Sequence, residues 1–283
     1  MVNKSLGYLV TACSIVVSLA MPVASHEIGL QLYSLRNEMK VSVPDAFKKI
    51  NDWGIKIVEG GGALYDLSLA DYKAELERYQ LDIVSVDTSY DEIVTNPMAV
   101  VYKANFYGAR FATFYWIPHD GKTGFTIEKA KEAVIAINKA GKILKQNGIT
   151  LQYHPHGYEF SSFEKGTVLD FMINNIDQAQ FQMDVYWVNQ AGVDPVALLQ
   201  KYPGRFTSLH LKDRLKGSPD SSNGKADVET NVVLGTGDIG IAAVVEEAKR
   251  QGIRYFFIED ESSRALKQVP LSLEYLRSLD GIK

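Results

Sequence analysis

The chain has 283 residues, of which 46% are hydrophobic and 23% are charged, with a formal net charge of −4 and one cysteine. This composition excludes an intrinsically disordered chain, and the slightly acidic balance argues against a nucleic-acid or anionic-membrane partner. The length suits one large domain or two smaller ones.

The first 25 residues predict a secretory signal peptide. Lys4 precedes an apolar run over residues 6–20, and the small residues that follow suit cleavage after Ser25 or after Ala20. The run is too short for a membrane span, so we expect an exported, periplasmic protein with no stable span after processing. The alternative is an uncleaved amphiphilic tail. Since Cys13 lies in this segment, residues 26–283 contain no thiol.

The first half after this segment alternates strand and helix signals. Apolar runs predict strands at 28–33, 55–59, 81–87 and 110–116, and helical periodicity predicts helices at 42–54, 68–79, 97–106 and 126–146. The helix boundaries rest on Pro44 in a first turn, a capping pattern from Ser68 to Asp71, and Gly148 after the last helix.

The second half repeats the alternation. Strands are predicted at 149–154, 181–185, 206–211 and 255–259, and helices at 163–174, 195–202, 239–250 and 270–279. Eight strands alternating with eight helices predict a single (β/α)₈ TIM barrel over residues 26–283. No Gly-x-Gly-x-x-Gly turn follows the first strand, which disfavours a dinucleotide-binding fold. A polar insertion at 214–232 is either a loop over the active face or a disordered surface excursion.

Metal-ligand residue types stand at the ends of predicted strands five to eight: His154, Asp184, His210 and Glu259. Each has a structural explanation when taken alone, such as turn capping by Asp184 or an ion pair between Glu259 and Arg264. Strand carboxyl ends meet at one face of a barrel, so the four together favour a divalent-metal site. Imidazole with carboxylate suits Mn²⁺, Co²⁺, Zn²⁺ or Fe²⁺ better than Ca²⁺.

Further residues close to predicted strand ends are candidates for the same pocket. Glu59 ends the second strand and His119 follows the fourth, so both are expected to contact substrate. Aromatic side chains there either stack on a sugar ring or pack the barrel rim. They are Tyr33, Tyr115, Trp116, Tyr186 and Trp187.

Five segments together resemble the xylose-isomerase-like barrel superfamily, in its sugar phosphate isomerase/epimerase branch: 153–160 (YHPHGYEF), 183–187, 209–213, 234–239 and 257–262. The resemblance implies a metal held by Glu, Asp, His and Glu from strands five to eight. Asp184, His210 and Glu259 match the last three, whereas His154 stands where the first Glu is usual. The fourth ligand is therefore open among His154, His156 and Glu159.

The resemblance implies a divalent-metal-dependent enzyme that acts on a small keto-sugar through an enediolate. It would be a sugar isomerase or epimerase, or a 3-keto-glycoside lyase of the kind found among exported relatives with a His-x-His pattern. His156 or Glu159 would act as base and acid, and Lys212 would face the enolate oxygen. The alternatives are an exported carbohydrate-binding barrel without catalysis and a phosphodiesterase or abasic-site nuclease of the same barrel type.

Overall fold

In a computed structural model that describes residues 26–121 and 124–279, eight parallel strands close into a barrel. Each strand pairs with the next in sequence, and the last pairs with the first. The strands are β1 (Glu27–Gln31), β2 (Ile57–Gly60), β3 (Asp82–Thr88), β4 (Phe111–Phe114), β5 (Thr150–Tyr153), β6 (Gln180–Asp184), β7 (Phe206–Leu211) and β8 (Tyr255–Ile258). The predicted (β/α)₈ fold is confirmed, and the predicted signal peptide lies outside the described residues.

Helices connect these strands, and polar side chains cap most of their first turns. They are α1 (Arg36–Val41), α2 (Val43–Asp52), α3 (Leu69–Arg78), α4 (Tyr90–Thr95), α5 (Pro97–Tyr107), α6 (Ile127–Gln146), α7 (Val168–Asn175), α8 (Val185–Gln190), α9 (Pro195–Lys201), α10 (Ile241–Arg250) and α11 (Ala265–Ser278). No helix among the described residues is long and apolar enough to cross a membrane.

The amino-terminal end of the barrel interior is filled by five buried apolar side chains: Ile57, Val84, Phe111, Tyr255 and Phe257. Gly29 leaves room for this layer, since a Cβ atom on it would lie 2.7 Å from the Phe257 ring and 2.9 Å from the carbonyl oxygen of Ile57. The apolar layer closes the bottom of the barrel and confines polar chemistry to the other end.

A buried polar layer lies above the apolar one. Hydrogen bonds join Thr113 to Ser85 (2.7 Å) and to Gln152 (2.8 Å). The amides of Gln152 and Gln182 each donate to Ser208 Oγ at 3.0 Å. Because these groups are satisfied by one another, they form an ordered floor beneath the carboxyl-terminal ends of the strands.

Several element boundaries differ from prediction near the barrel mouth. β1 ends at Gln31 instead of residue 33, because a 3₁₀ helix at Leu32–Leu35 begins where the Gln31 side chain accepts a hydrogen bond from the Tyr33 amide. The helix predicted at 163–174 begins at Val168, because a small hairpin precedes it and Thr167 caps its first turn.

The last helix begins earlier than predicted. It runs from Ala265 with Pro270 inside it, so the rule that places proline in a first turn gave the wrong start. Helices α1, α4 and α8 were not predicted; each has six residues, too few to show a helical period.

The segment 234–239 packs around one buried carboxylate. Asp213 accepts hydrogen bonds from the backbone amides of Gly235, Gly237 and Ile239. A Cβ atom at Gly237 would lie 2.2 Å from Asp213 Oδ1. The glycines of this motif therefore allow the backbone to wrap the carboxylate, which is a structural role.

Candidate active site

The carboxyl-terminal ends of the strands bring the four predicted metal ligands to one place. His154 follows β5, Asp184 ends β6, His210 is the fifth residue of β7, and Glu259 follows β8. All four side chains are buried. Each lies two residues after a side chain of the barrel interior, namely Gln152, Gln182, Ser208 and Phe257. Residues two apart on a strand share a face, so the four candidates face the barrel mouth.

Three of these residues form a compact cluster. His154, Asp184 and His210 each offer one ligand atom, and the three atoms lie within 4.8 Å of one another. Asp184 Oδ1 accepts from the backbone amides of Tyr186 (2.8 Å) and Trp187 (3.4 Å), which begins α8. Its Oδ2 is buried and has no hydrogen-bond partner.

The donor set fits a divalent cation. An unpartnered buried carboxylate oxygen is costly unless another group compensates it, and here His154 Nε2 lies 3.6 Å from Asp184 Oδ2. His154 Nδ1 donates to Gln182 Oε1 at 2.8 Å, which leaves the Nε2 lone pair directed toward Asp184. Carboxylate and imidazole arranged in this way are the ligands that Mn²⁺, Co²⁺, Zn²⁺ and Fe²⁺ accept.

His210 lies between two carboxylates. Its Nε2 is 2.5 Å from Glu59 Oε1, and its Nδ1 is 3.1 Å from Glu259 Oε2. Burial alone would lower the pKa of His210, but Glu59 and Glu259 outweigh it and raise the pKa to about 10. A metal at His210 would therefore displace a proton and one carboxylate contact.

The Lys212 ammonium lies among three carboxylates. Its Nζ lies 2.8 Å from Glu259, 2.6 Å from Glu261 and 3.4 Å from Asp184 Oδ2, the last without hydrogen-bond alignment. Burial opposes its charge, yet the three carboxylates hold the pKa of Lys212 well above its usual value. Glu259 thus contacts Lys212 and His210 and is not one of the three clustered residues.

The two predicted proton-transfer residues occupy different environments. His156 lines the space beside the cluster, and burial, with the neighbouring His154, lowers its pKa to about 3. Glu159 is fully buried behind the His156 loop, where it accepts from Tyr153 Oη and from the His156 amide at 3.1 Å. Burial raises the pKa of Glu159 to about 7. Glu159 therefore supports the loop, and His156 faces the open space.

The four residues predicted to contact substrate lie in different parts of the barrel mouth. Glu59 is buried in the floor and Tyr33 is half exposed at the rim. His119 stacks on Trp116 with ring centroids 4.9 Å apart, and its Nδ1 donates to the Ile117 carbonyl at 2.8 Å. Trp187 packs beside His156 at a centroid distance of 5.2 Å. His119 is therefore held in an aromatic cluster with Trp116, Phe125 and Tyr158.

Two adjoining cavities open over this arrangement. The first cavity, of about 510 Å³, is lined by residues that include Gln31, Tyr33, Asp87, Tyr115, His154, His156 and Glu259. The second cavity, of about 470 Å³, is lined by residues that include Trp116, His156, Tyr186, Trp187, Lys212 and Ala226.

A hydrogen-bonded chain in the first cavity was not predicted. Tyr115 Oη lies 2.6 Å from Asp87 Oδ1 and 3.1 Å from Glu59 Oε1, and Gln31 Nε2 donates to Glu59 at 3.0 Å. Burial and the nearby Glu59 raise the pKa of Asp87 to about 6. Asp87 ends the predicted third strand, so the strand-end rule that selected Glu59 would also have selected it.

Comparison with known proteins identifies the fold family. Residues 47–279 match the family described as "Xylose isomerase-like TIM barrel". A crystal structure of a sugar phosphate isomerase/epimerase from Parabacteroides distasonis is 25% identical, with a TM-score of 0.75 over 91% of this chain and 100% of that one. The superfamily and branch inferred from the five segments are thereby confirmed.

Two further relatives are more distant or match a shorter stretch. An inosose dehydratase from Clostridium beijerinckii is 27% identical over 96 residues, which is 33% of this chain and 32% of that protein. The match thus spans about a third of the length of this curated relative. A structure of the IOLI protein with a bound zinc atom shares the fold at 13% identity and a TM-score of 0.67, over 91% of this chain and 98% of that one.

Proposed function

The chain belongs to the xylose isomerase-like TIM barrel family, and on that premise we propose that it is a divalent-metal-dependent enzyme acting on a keto-sugar. The observation that carries the proposal is the buried Asp184 Oδ2, which has no hydrogen-bond partner and lies beside His154 in a cluster with His210. A binding protein for neutral sugars has no need of such an oxygen.

His154, Asp184 and His210 would hold the ion, with Glu259 within reach of His210. A divalent ion there supplies Lewis-acid polarisation of a substrate carbonyl. Mn²⁺, Co²⁺, Zn²⁺ and Fe²⁺ all suit this donor set.

The protein's own side chains would bind the sugar and move a proton. Gln31 and Asp87 offer hydrogen-bonding groups for ring hydroxyls in the first cavity, and the buried Glu59 positions Gln31 from below by accepting its amide hydrogen bond. His156, which faces that cavity as a neutral imidazole, would accept the proton from the carbon next to the carbonyl. Lys212 keeps its positive charge although it is buried, because neighbouring carboxylates hold its pKa well above the usual value. It would stabilise the negative oxygen that forms when the proton is removed.

Elimination is the reaction that we favour over isomerisation. After the proton is removed from the carbon next to a carbonyl, a substituent on the following carbon can depart, which cleaves a carbon–oxygen bond. The matched inosose dehydratase supports this choice, since a dehydratase eliminates water. The sugar phosphate isomerase/epimerase relative keeps isomerisation as the second candidate.

The test is metal analysis of the purified protein followed by incubation with 3-keto-glucosides and with free ketoses. We expect bound divalent metal, release of the C1 substituent from the 3-keto-glucosides, and solvent deuterium in recovered substrate next to the carbonyl. Turnover of free ketoses alone would favour the isomerase. Absence of any conversion under metal-replete conditions would contradict an enzyme and favour a carbohydrate-binding barrel.

The proposal includes export to the periplasm. It rests on residues 1–25, whose basic, apolar and small-residue order is that of a signal peptide.

A further inference from the structure

The first and second cavities adjoin, and both are lined by His156 and Glu261. Their volumes, about 510 and 470 Å³, are similar. Each alone is in the range of a small-molecule site, on the order of 300–1,000 Å³. A substrate with a single sugar ring would therefore occupy only one of the two cavities.

The two cavities are lined by side chains of different chemistry. The first cavity carries Gln31, Asp87 and Glu92, which suit a ring with several hydroxyl groups. The second cavity carries Trp116, Tyr186 and Trp187, whose flat apolar surfaces suit the face of another ring. The charged groups that line it are of both signs, Lys212 and Lys225 with Glu261, and Lys212 is already paired with Glu259 and Glu261, so we expect a neutral occupant there.

The outer wall of the second cavity is made by the insertion at 214–232, through Gly224, Lys225, Ala226 and Val228. Backbone pairing of Asp213–Arg214 with Asn231–Val232 closes the base of this loop.

Contacts with the barrel fix the position of this wall. The Ser221 amide donates to the Gln190 carbonyl at 2.7 Å, and the hydroxyls of Tyr186 and Thr230 lie 2.7 Å apart. A Cβ atom at Gly224, which has a φ of +70°, would lie 2.9 Å from the Trp116 ring. The loop backbone therefore packs directly on Trp116, and the wall is a built part of the site.

We propose that the second cavity is a subsite for a neutral, ring-sized substituent of the sugar, so that the substrate is a two-ring glycoside and not a free monosaccharide. The keto-sugar ring lies in the first cavity, and the bond between the two rings lies beside His156 and Glu261. The inference rests on the proposed function for the keto-sugar, whereas the subsite itself rests on the two linings.

Binding of unreactive probes tests the subsite separately from catalysis. Methyl β-glucoside, phenyl β-glucoside and cellobiose are titrated calorimetrically into the metal-replete full chain. We expect phenyl glucoside, cellobiose or both to bind about tenfold more tightly than methyl glucoside. A gain for cellobiose alone identifies a second sugar ring, and a gain for phenyl glucoside identifies an aromatic substituent. Equal affinity for all three, or no measurable binding of any, would overturn the subsite.

Filling the second cavity should remove the additional affinity of the larger probes. In Ala226→Trp the affinity for the larger probes should fall to that for methyl glucoside, and Val228→Trp provides a second variant should the first fail to fold. Ala243→Trp, an exposed change on α10, is the matched control and should retain the gain. If both cavity variants fold and keep the gain, the subsite is wrong. If the gain behaves as expected but no keto-sugar is converted, the enzyme proposal fails and the subsite stands.

Discussion

Asp184 Oδ2 lies 3.6 Å from His154 Nε2 without a hydrogen-bond partner, while Oδ1 of the same carboxylate begins helix α8. One side chain thus has an oxygen that caps a helix and a second oxygen that faces the cluster, with the Lys212 ammonium 3.4 Å away. The two roles can be separated, because an asparagine retains one oxygen for the helix cap.

Asp184→Asn should therefore fold normally and lose bound metal. Elemental analysis should give a metal content at least tenfold below that of the unmutated protein after dialysis, with an unchanged circular dichroism spectrum. Asp194→Asn is the matched control, since Asp194 caps α9 through the Val196 amide. Full metal content in Asp184→Asn would remove this residue from the ligand set.

His154 and His156 are two residues apart, and the structure gives them different surroundings. His154 is held by Gln182 within the ligand cluster, whereas His156 faces both cavities. His154→Gln should lose metal and turnover together. His156→Gln should keep its metal and lose turnover by about 10²-fold or more, as expected for a missing general base. Equal loss of metal in both variants would assign His156 to the metal instead.

The positions of the ligand candidates were predictable because they depend on short-range patterns. Alternation within a strand decides which side chains face inward, and parallel strands place their carboxyl ends together. His154, Asp184 and His210 needed no other information. The same logic predicted the fold, since eight apolar runs with intervening helical periods leave few alternatives.

Side-chain contacts across neighbouring strands were not predictable in this way. Tyr115, just after β4, meets Asp87 of β3 and Glu59 of β2 through the particular register and packing of these three strands. The position of Glu159 also could not be predicted, because its place behind the His156 loop depends on the left-handed turn at Gly157 (φ +97°). Sequence spacing identified a carboxylate near the histidines but not the side of the loop on which it lies.

The export prediction is tested at the amino terminus. Residues 1–25 have the order of a signal peptide, so protein recovered from the native cell should begin near residue 26 and fractionate with the periplasm. Amino-terminal sequencing measures this directly. A protein that begins at Met1 in the cytoplasmic fraction would contradict export and leave the barrel assignment untouched.

Glu159 should make stability depend on pH. Burial raises its pKa to about 7, above its unfolded value, so between these values the folded chain holds a proton that the unfolded chain has lost. This contribution is complete at pH 4 and is lost as the pH rises through 7; it amounts to about 3 kcal/mol, on the scale of 1.36 kcal/mol per pKa unit. Glu159→Gln should flatten this part of the profile in urea unfolding measured from pH 5 to 8. Glu164→Gln, an exposed change on the same loop, should not.

Lys212 should be the most costly single charge to remove from the site. Its ammonium contacts Glu259, Glu261 and Asp184, so Lys212→Met leaves buried carboxylates without their cation. Breaking a buried ion pair in this way costs about 3–5 kcal/mol of unfolding free energy. Lys48→Met is the control: Lys48 forms an exposed ion pair with Asp52 at 2.6 Å, and its loss should change the unfolding free energy by less than about 0.5 kcal/mol. Urea unfolding of the metal-free protein at pH 7 compares the two variants. Equally small effects would contradict the expected cost of leaving these carboxylates without their cation.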